Sequence, residues 1–124
     1  MLESKAEVDQ FLDDWTAALR SGKYKQRTGT LRYGDQYCCL GVACELLGLE
    51  AEHEDLSWWF IHRGRRWDGM IPGSIALTIQ DHYPGMIYGR GTGEHSDGLA
   101  DLNDGGWTFF QIADEIDRRR GVDV

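Results

Sequence analysis

Apolar residues recur at helical spacing near both ends of the chain and crowd together, with no polar face, near its middle. Val8, Phe11, Leu12, Trp15, Ala18 and Leu19 keep the rhythm of an amphipathic helix. Ser4-Lys5-Ala6-Glu7 reads as a capping box, in which Ser4 accepts an early amide and Glu7 reaches back. The spacing predicts a helix from about Lys5 to Arg20, stopped by Arg20, Ser21 and Gly22. Phe109, Ile112, Ala113 and Ile116 form a second stripe. Thr108 and Gln111 open it as another capping box, and Arg118, Arg119, Arg120 and Gly121 close it.

The middle is different. Between Cys38 and Gly48 the one charge is Glu45, and apolar residues lie on every side. A helix of that kind is buried. The pattern predicts a short central helix starting near Cys38, with Asp35 or Gln36 as its cap and Gly48 as its left-handed stop. Thr30-Leu31-Arg32-Tyr33 alternates as a strand, Gly34-Asp35 turns, and Gln36-Tyr37 returns. Ser57–His62 reads as another strand, with a turn at Arg63-Gly64-Arg65 and a return at Arg66-Trp67. Pro72 opens a helix over Ile75, Ala76, Leu77 and Ile79, which Pro84-Gly85 ends. Gly85, Gly89, Gly91, Gly93 and Gly98 predict a long mobile loop. The expected fold is α+β: three to four helices around a buried central helix, with a small antiparallel sheet.

Composition narrows the setting. A length of 124 residues makes residues 1–124 a single domain, and 41% apolar residues suffice for a core. The net charge of −8 repels phosphate backbones and argues against sequence-blind nucleic-acid binding. No apolar run approaches the roughly 20 residues that span a bilayer. Met1 leads straight into charged residues, so no signal peptide is expected and the location is cytoplasmic. The three cysteines, an odd count, are then reduced thiols.

Those thiols offer the first candidate chemistry. A cysteine at a helix N-terminus feels the positive end of the dipole, which favours a nucleophilic thiolate. Gln36-Tyr37-Cys38-Cys39-Leu40-Gly41-Val42-Ala43-Cys44 is similar to the start of papain-like and bacteriocin-processing cysteine peptidases. A hydrolase would use Cys38 or Cys39 with His82 or His95 as base, and Asp97 or Asn103 behind it. The competing reading, and the favoured one, is that the three cysteines pack as small hydrophobes. Asp97, Asp101, Asn103 and Asp104 cluster. Counted from Asp101, however, the fifth and twelfth places of a calcium loop fall on Gly105 and Ile112, so a turn is expected there. His53, His62, His82 and His95 lack paired ligand spacing, and no metal or other cofactor is expected. Gly89-Arg90-Gly91-Thr92-Gly93 has neither the strand before nor the helix after that a dinucleotide loop needs, although Arg90 could contact an anion.

The basic island carries more. Lys23, Lys25, Arg27 and Arg32 stand together with Tyr24, Thr28 and Tyr33 in an acidic chain. Arg63, Arg65 and Arg66 repeat the combination beside Trp58, Trp59 and Trp67. Cations beside aromatic rings can hold a phosphate while a ring stacks on a base. The expected ligand-binding set is Lys23, Tyr24, Lys25, Arg27, Arg32, Trp58, Arg65, Arg66 and Arg90. The alternative is a solvated surface that balances nearby carboxylates.

Three blocks carry a family resemblance: Trp15 through Gln26, Tyr37-Cys38-Cys39-Leu40-Gly41-Val42, and Leu102-Asn103-Asp104 followed by Phe109 and Ile112-Ala113-Asp114. In that order they resemble small uncharacterised proteins of tailed bacteriophages. The resemblance implies a phage accessory protein and carries no catalytic residues with it. In that setting the chain would be a counter-defence protein that sequesters a small anionic, nucleotide-like ligand in the host cytosol. Alternatively it would be an acidic inhibitor that docks on a basic host protein through Glu50, Glu52, Glu54 and Asp55, or a cysteine hydrolase. No membrane partner is expected, and self-association is compatible with each reading.

Overall fold

The computed structural model describes residues 2–89 and 97–121. Helix α1 spans Lys5–Arg20, with the Ser4–Glu7 capping box in place. It buries Val8, Phe11, Leu12, Trp15 and Leu19 of the expected stripe, with Ala18 half-buried against the core. Short strands β1 (Lys25–Gln26), β2 (Arg32–Tyr33) and β3 (Gln36–Tyr37) lead into helix α2 (Cys39–Leu46). Then come β4 (Glu50–Glu54), β5 (Ser57–His62), β6 (Arg65–Trp67), α3 (Gly73–His82), α4 (Leu99–Asp104) and α5 (Phe109–Arg119). The fold is α+β.

Helix α2 is the buried element. Six successive residues, Cys39 to Cys44, are sealed from solvent. It packs against α1, α4 and β3, while α5 lies across α1 and α4. Its cap differs from expectation. Asp35 is instead paired on the surface with Lys25 at 2.9 Å, and Gln36 lies in β3. Cys38 is the N-cap, its Sγ accepting from the Gly41 amide at 3.4 Å. A second cap comes from far along the chain: Asn103 Oδ1 accepts from the Cys39 amide at 3.2 Å. Beyond Leu47, Gly48 takes the left-handed conformation at φ 69°, as expected.

Asn103 is fully buried and does three jobs. Besides capping α2, its Oδ1 accepts from Gln26 Nε2 at 3.0 Å and its Nδ2 donates to the Arg27 carbonyl at 2.7 Å. Gln26 in turn bonds the Trp107 carbonyl and the Phe109 amide. Trp15 Nε1 donates to the Cys39 carbonyl at 2.9 Å. The three blocks picked out in the sequence therefore meet at one buried polar hub.

The sheet runs β1-β3-β2-β5-β4. Strand β4 lines one side of β5, and β2 and β6 share the other. It is mixed rather than wholly antiparallel, because β1 pairs parallel to β3. Strands β1 and β4 were not expected; β4 is mostly glutamate, with no apolar alternation to mark it. The turn before β6 is tighter than predicted. Arg63 and Gly64 alone take positive φ, and the return strand begins at Arg65. Helix α4 replaces the turn expected before the last helix. Within the segment expected as a mobile loop, Met86 and Ile87 are core residues, and the Leu99 amide bonds the Ile87 carbonyl at 2.9 Å. Residues 90–96 of that segment lie outside the described residues.

Among the glycines of the described residues, Gly41 lies tightest against its neighbours. A Cβ there would sit 1.8 Å from the Leu31 carbonyl oxygen, which already accepts from the Cys38 amide. Only glycine admits that contact.

Asn103→Ala should lower stability by about 3 kcal/mol, because it leaves buried backbone and side-chain partners unmatched. That corresponds to a fall of about 10 °C in Tm, measurable by scanning calorimetry. A change below about 2 °C would mean that the hub contributes little.

Candidate functional site

The site grows from the strand ends beside α2. Leu31 is pinned from three directions: its amide bonds the Asp68 carbonyl, its carbonyl caps Cys38, and its side chain is buried. The next two residues, Arg32 and Tyr33, therefore leave the core at a fixed point. The Gly34 amide bonds the Leu56 carbonyl at 2.7 Å, which fastens the β2–β3 turn to the β4–β5 turn.

Arginines here lie on rings. Arg32 is held between Trp58 at 3.6 Å and Tyr37 at 4.9 Å, measured to the ring centroids. Its Nε donates to the Gly34 carbonyl at 2.9 Å, and Glu45 is 3.8 Å away. His53 stacks on Trp58 at 4.3 Å, so the column reads imidazole, indole, guanidinium, phenol. Arg27 lies over Tyr33 at 4.4 Å and donates to Gln36 Oε1 at 3.1 Å. Its Nε is buried without a hydrogen-bond partner. Arg66 lies over Trp59 at 4.6 Å.

Two clefts open here. One, of about 580 Å³, is lined by Arg27, Arg32, Tyr33, His53, Leu56 and Trp58, together with Asp35 and Asp55. The other, of about 420 Å³, shares Arg32, Tyr33 and Trp58 and adds Trp59, Arg66 and Asp68. Tyr33 and Leu56 are among the most exposed apolar side chains of the described residues. Flat exposed rings, fixed guanidinium groups and a volume of this order suit a planar anionic molecule.

Of the residues expected from sequence, Arg27, Arg32, Trp58 and Arg66 come together. Lys23 lies over Tyr24, and Tyr24 meets Tyr37 edge-on against the core. Lys25 is tied to Asp35. Arg65 lies over Trp67 and does not line either cleft. Arg90 lies outside the described residues. Sequence reasoning missed His53 and Leu56, which reach the site only because β4 pairs with β5, and Gln36, which it had read as a cap.

The cysteines lie as the favoured reading expects. All three are buried. Burial pushes the Cys38 thiol from its ordinary 9.0 up to about 11, despite hydrogen bonds from the Gly41 and Leu40 amides. Burial also raises Cys39 and Cys44. The helix dipole would favour a thiolate, but desolvation outweighs it. Cys39 Sγ faces the Leu99 carbonyl at 3.6 Å, and among the described residues no imidazole hydrogen-bonds a thiol. His82 ends α3, and His95 lies outside the described residues. Asn103, one candidate orienting group, is committed to capping α2. The other, Asp97, gives its backbone carbonyl to Arg119. In this fold all three thiols serve as packing groups. Among the described residues no cluster of three histidine, cysteine, aspartate or glutamate side chains could hold a metal. None of the described helices is long and apolar enough to cross a membrane.

A family model for a domain of unknown function, DUF8296, matches residues 7–120. The chain belongs to the DUF8296 family. That match covers the hub and both clefts, so α2, its distant cap and the arginine-ring stacks all lie within the DUF8296 domain. No curated protein and no solved structure matches the chain.

Native protein treated with iodoacetamide at neutral pH should keep all three thiols unmodified, and guanidinium should expose them; mass spectrometry reads both states. A thiol whose pKa is raised by folding stabilises the fold below the unfolded value, and that contribution is lost as pH rises toward the folded value. Stability should therefore fall between pH 9.0 and about 11 for Cys38. Each such thiol contributes up to about 1.4 kcal/mol per pH unit. A Cys38→Ala variant should show a shallower decline.

Proposed function

We propose that this DUF8296 protein binds a small planar anion of nucleotide type in the clefts around Tyr33 and Trp58. The observation that carries the reading is that Arg27 and Arg66 are held over aromatic rings instead of carboxylates. Such a guanidinium keeps its charge and its outward N–H groups for an incoming phosphate. An exposed ring beside it stacks on any base. The reading extends to setting: a phage accessory protein that sequesters a nucleotide signal in the host cytosol and performs no chemistry on it.

A second reading is favoured by β4. It is an edge strand with Glu50, Glu52 and Glu54 on one face. Such an edge suits an inhibitor that docks on a basic host protein, although charge on an edge strand also guards against aggregation.

Titration with AMP, followed by calorimetry and tryptophan fluorescence, separates these readings. Arg27→Ala and Trp58→Ala should each weaken binding by about tenfold to a hundredfold. Lys25→Ala should leave it unchanged, because Lys25 is occupied by Asp35. Circular dichroism would show that the variants stay folded. Absence of AMP binding, or equal binding by wild type and Arg27→Ala, would remove the ligand reading.

A further inference from the structure

We infer that the two clefts are halves of one site and that its ligand is a dinucleotide: two planar bases joined through phosphate, with few charges. This rests on the ligand-binding reading above and specifies it. Arg32, Tyr33 and Trp58 line both clefts and form the wall between them in this reading. Each lies within the range of about 300–1,000 Å³ that holds one small ligand. Each also has its own arginine on its own ring, Arg27 over Tyr33 in one and Arg66 over Trp59 in the other.

The wall itself is not the anion hook. Arg32 has Trp58 and Tyr37 on its two sides, gives Nε to Gly34, faces Glu45, and is 18% exposed. Its work is to hold Trp58 in place. The hooks without a carboxylate partner are therefore Arg27, which lines one cleft, and Arg66, which lines the other. A mononucleotide engages one of them; two base–phosphate units joined covalently engage both. The carboxylates set the charge limit. Asp35 and Asp55 line one lobe and Asp68 the other, so each lobe tolerates about one phosphate and repels a polyphosphate chain.

The test uses the full chain with AMP, ATP and the linear dinucleotide pApA, by calorimetry. Expected are two AMP per chain, one pApA per chain bound about a hundredfold more tightly than AMP, and ATP no tighter than AMP. Arg66→Ala should reduce AMP to one per chain and abolish the advantage of pApA, and Arg27→Ala should do the same from the other lobe. If pApA binds no tighter than AMP, or if AMP saturates at one per chain and ignores Arg66→Ala, the two-lobed site is overturned while the single-cleft reading stands. If neither AMP nor pApA binds, both fall together.

Discussion

The buried amide of Asn103 is the constraint on which the rest of the molecule depends. A helix apolar on every side has few side chains of its own with which to satisfy its first amides, here one thiol, and burial denies it water. Helix α2 therefore takes a cap from another part of the chain. The residue that supplies it must have its own remaining polar atoms matched, since a half-satisfied buried amide would cost more than it returned. Gln26 and the Arg27 carbonyl complete the set. One side chain thus fixes α4, β1 and α2 relative to one another, and the hub is as much about uniqueness of fold as about energy.

That placement reaches the functional surface through backbone. With α2 fixed, Gly41 lets the Leu31 carbonyl come against the helix, and Leu31 caps Cys38 in return. Arg32 and Tyr33 follow directly and carry the centre of the cleft. Arg27 hangs on the same hub, its carbonyl held by Asn103 while its guanidinium covers Tyr33. The site is built on elements positioned by the core rather than on a free loop, the arrangement that keeps a binding geometry narrow. The burial that makes α2 a scaffold also silences its thiols, so scaffold and nucleophile are competing uses of one helix here.

Legibility in the sequence followed the range of the interactions. Helix α1 matched residue for residue, because both its stripe and its capping box are local. Helix α5 was legible for the same reason, as were β5 and the burial of the cysteines. Strand β4 was not, since Glu50-Ala51-Glu52-His53-Glu54 pairs through backbone with β5 and its side chains carry no apolar signal. The capping of α2 was misread because a thiol, Cys38, is the N-cap and the second acceptor, Asn103, lies 64 residues from Cys39. Of the basic island, Arg27 and Arg32 reached the clefts while Lys23 and Lys25 did not; a short polar run cannot say which cations a neighbouring carboxylate, here Asp35, will occupy. His53 entered the site only through the strand that went unseen.

The last question is how a chain of charge −8 can present a site for anions. Much of the cationic charge is spent on the chain's own carboxylates. Arg20 holds Asp114 and Asp117, Arg120 holds Asp13, Arg118 and Arg119 hold Glu115, and Lys5 holds Asp9. Arg27, Arg65 and Arg66 are different: they lie over rings, and among the described residues none of them has a carboxylate within ion-pair distance. A ring stabilises a guanidinium without neutralising it. Because exposed charges are screened over about 8 Å at physiological salt, a bound phosphate responds to the nearest groups more than to the total. Local positive potential can therefore persist on an acidic molecule wherever aromatic residues take the place that carboxylates hold elsewhere, and that exchange of partners is what separates the cleft from the rest of this surface.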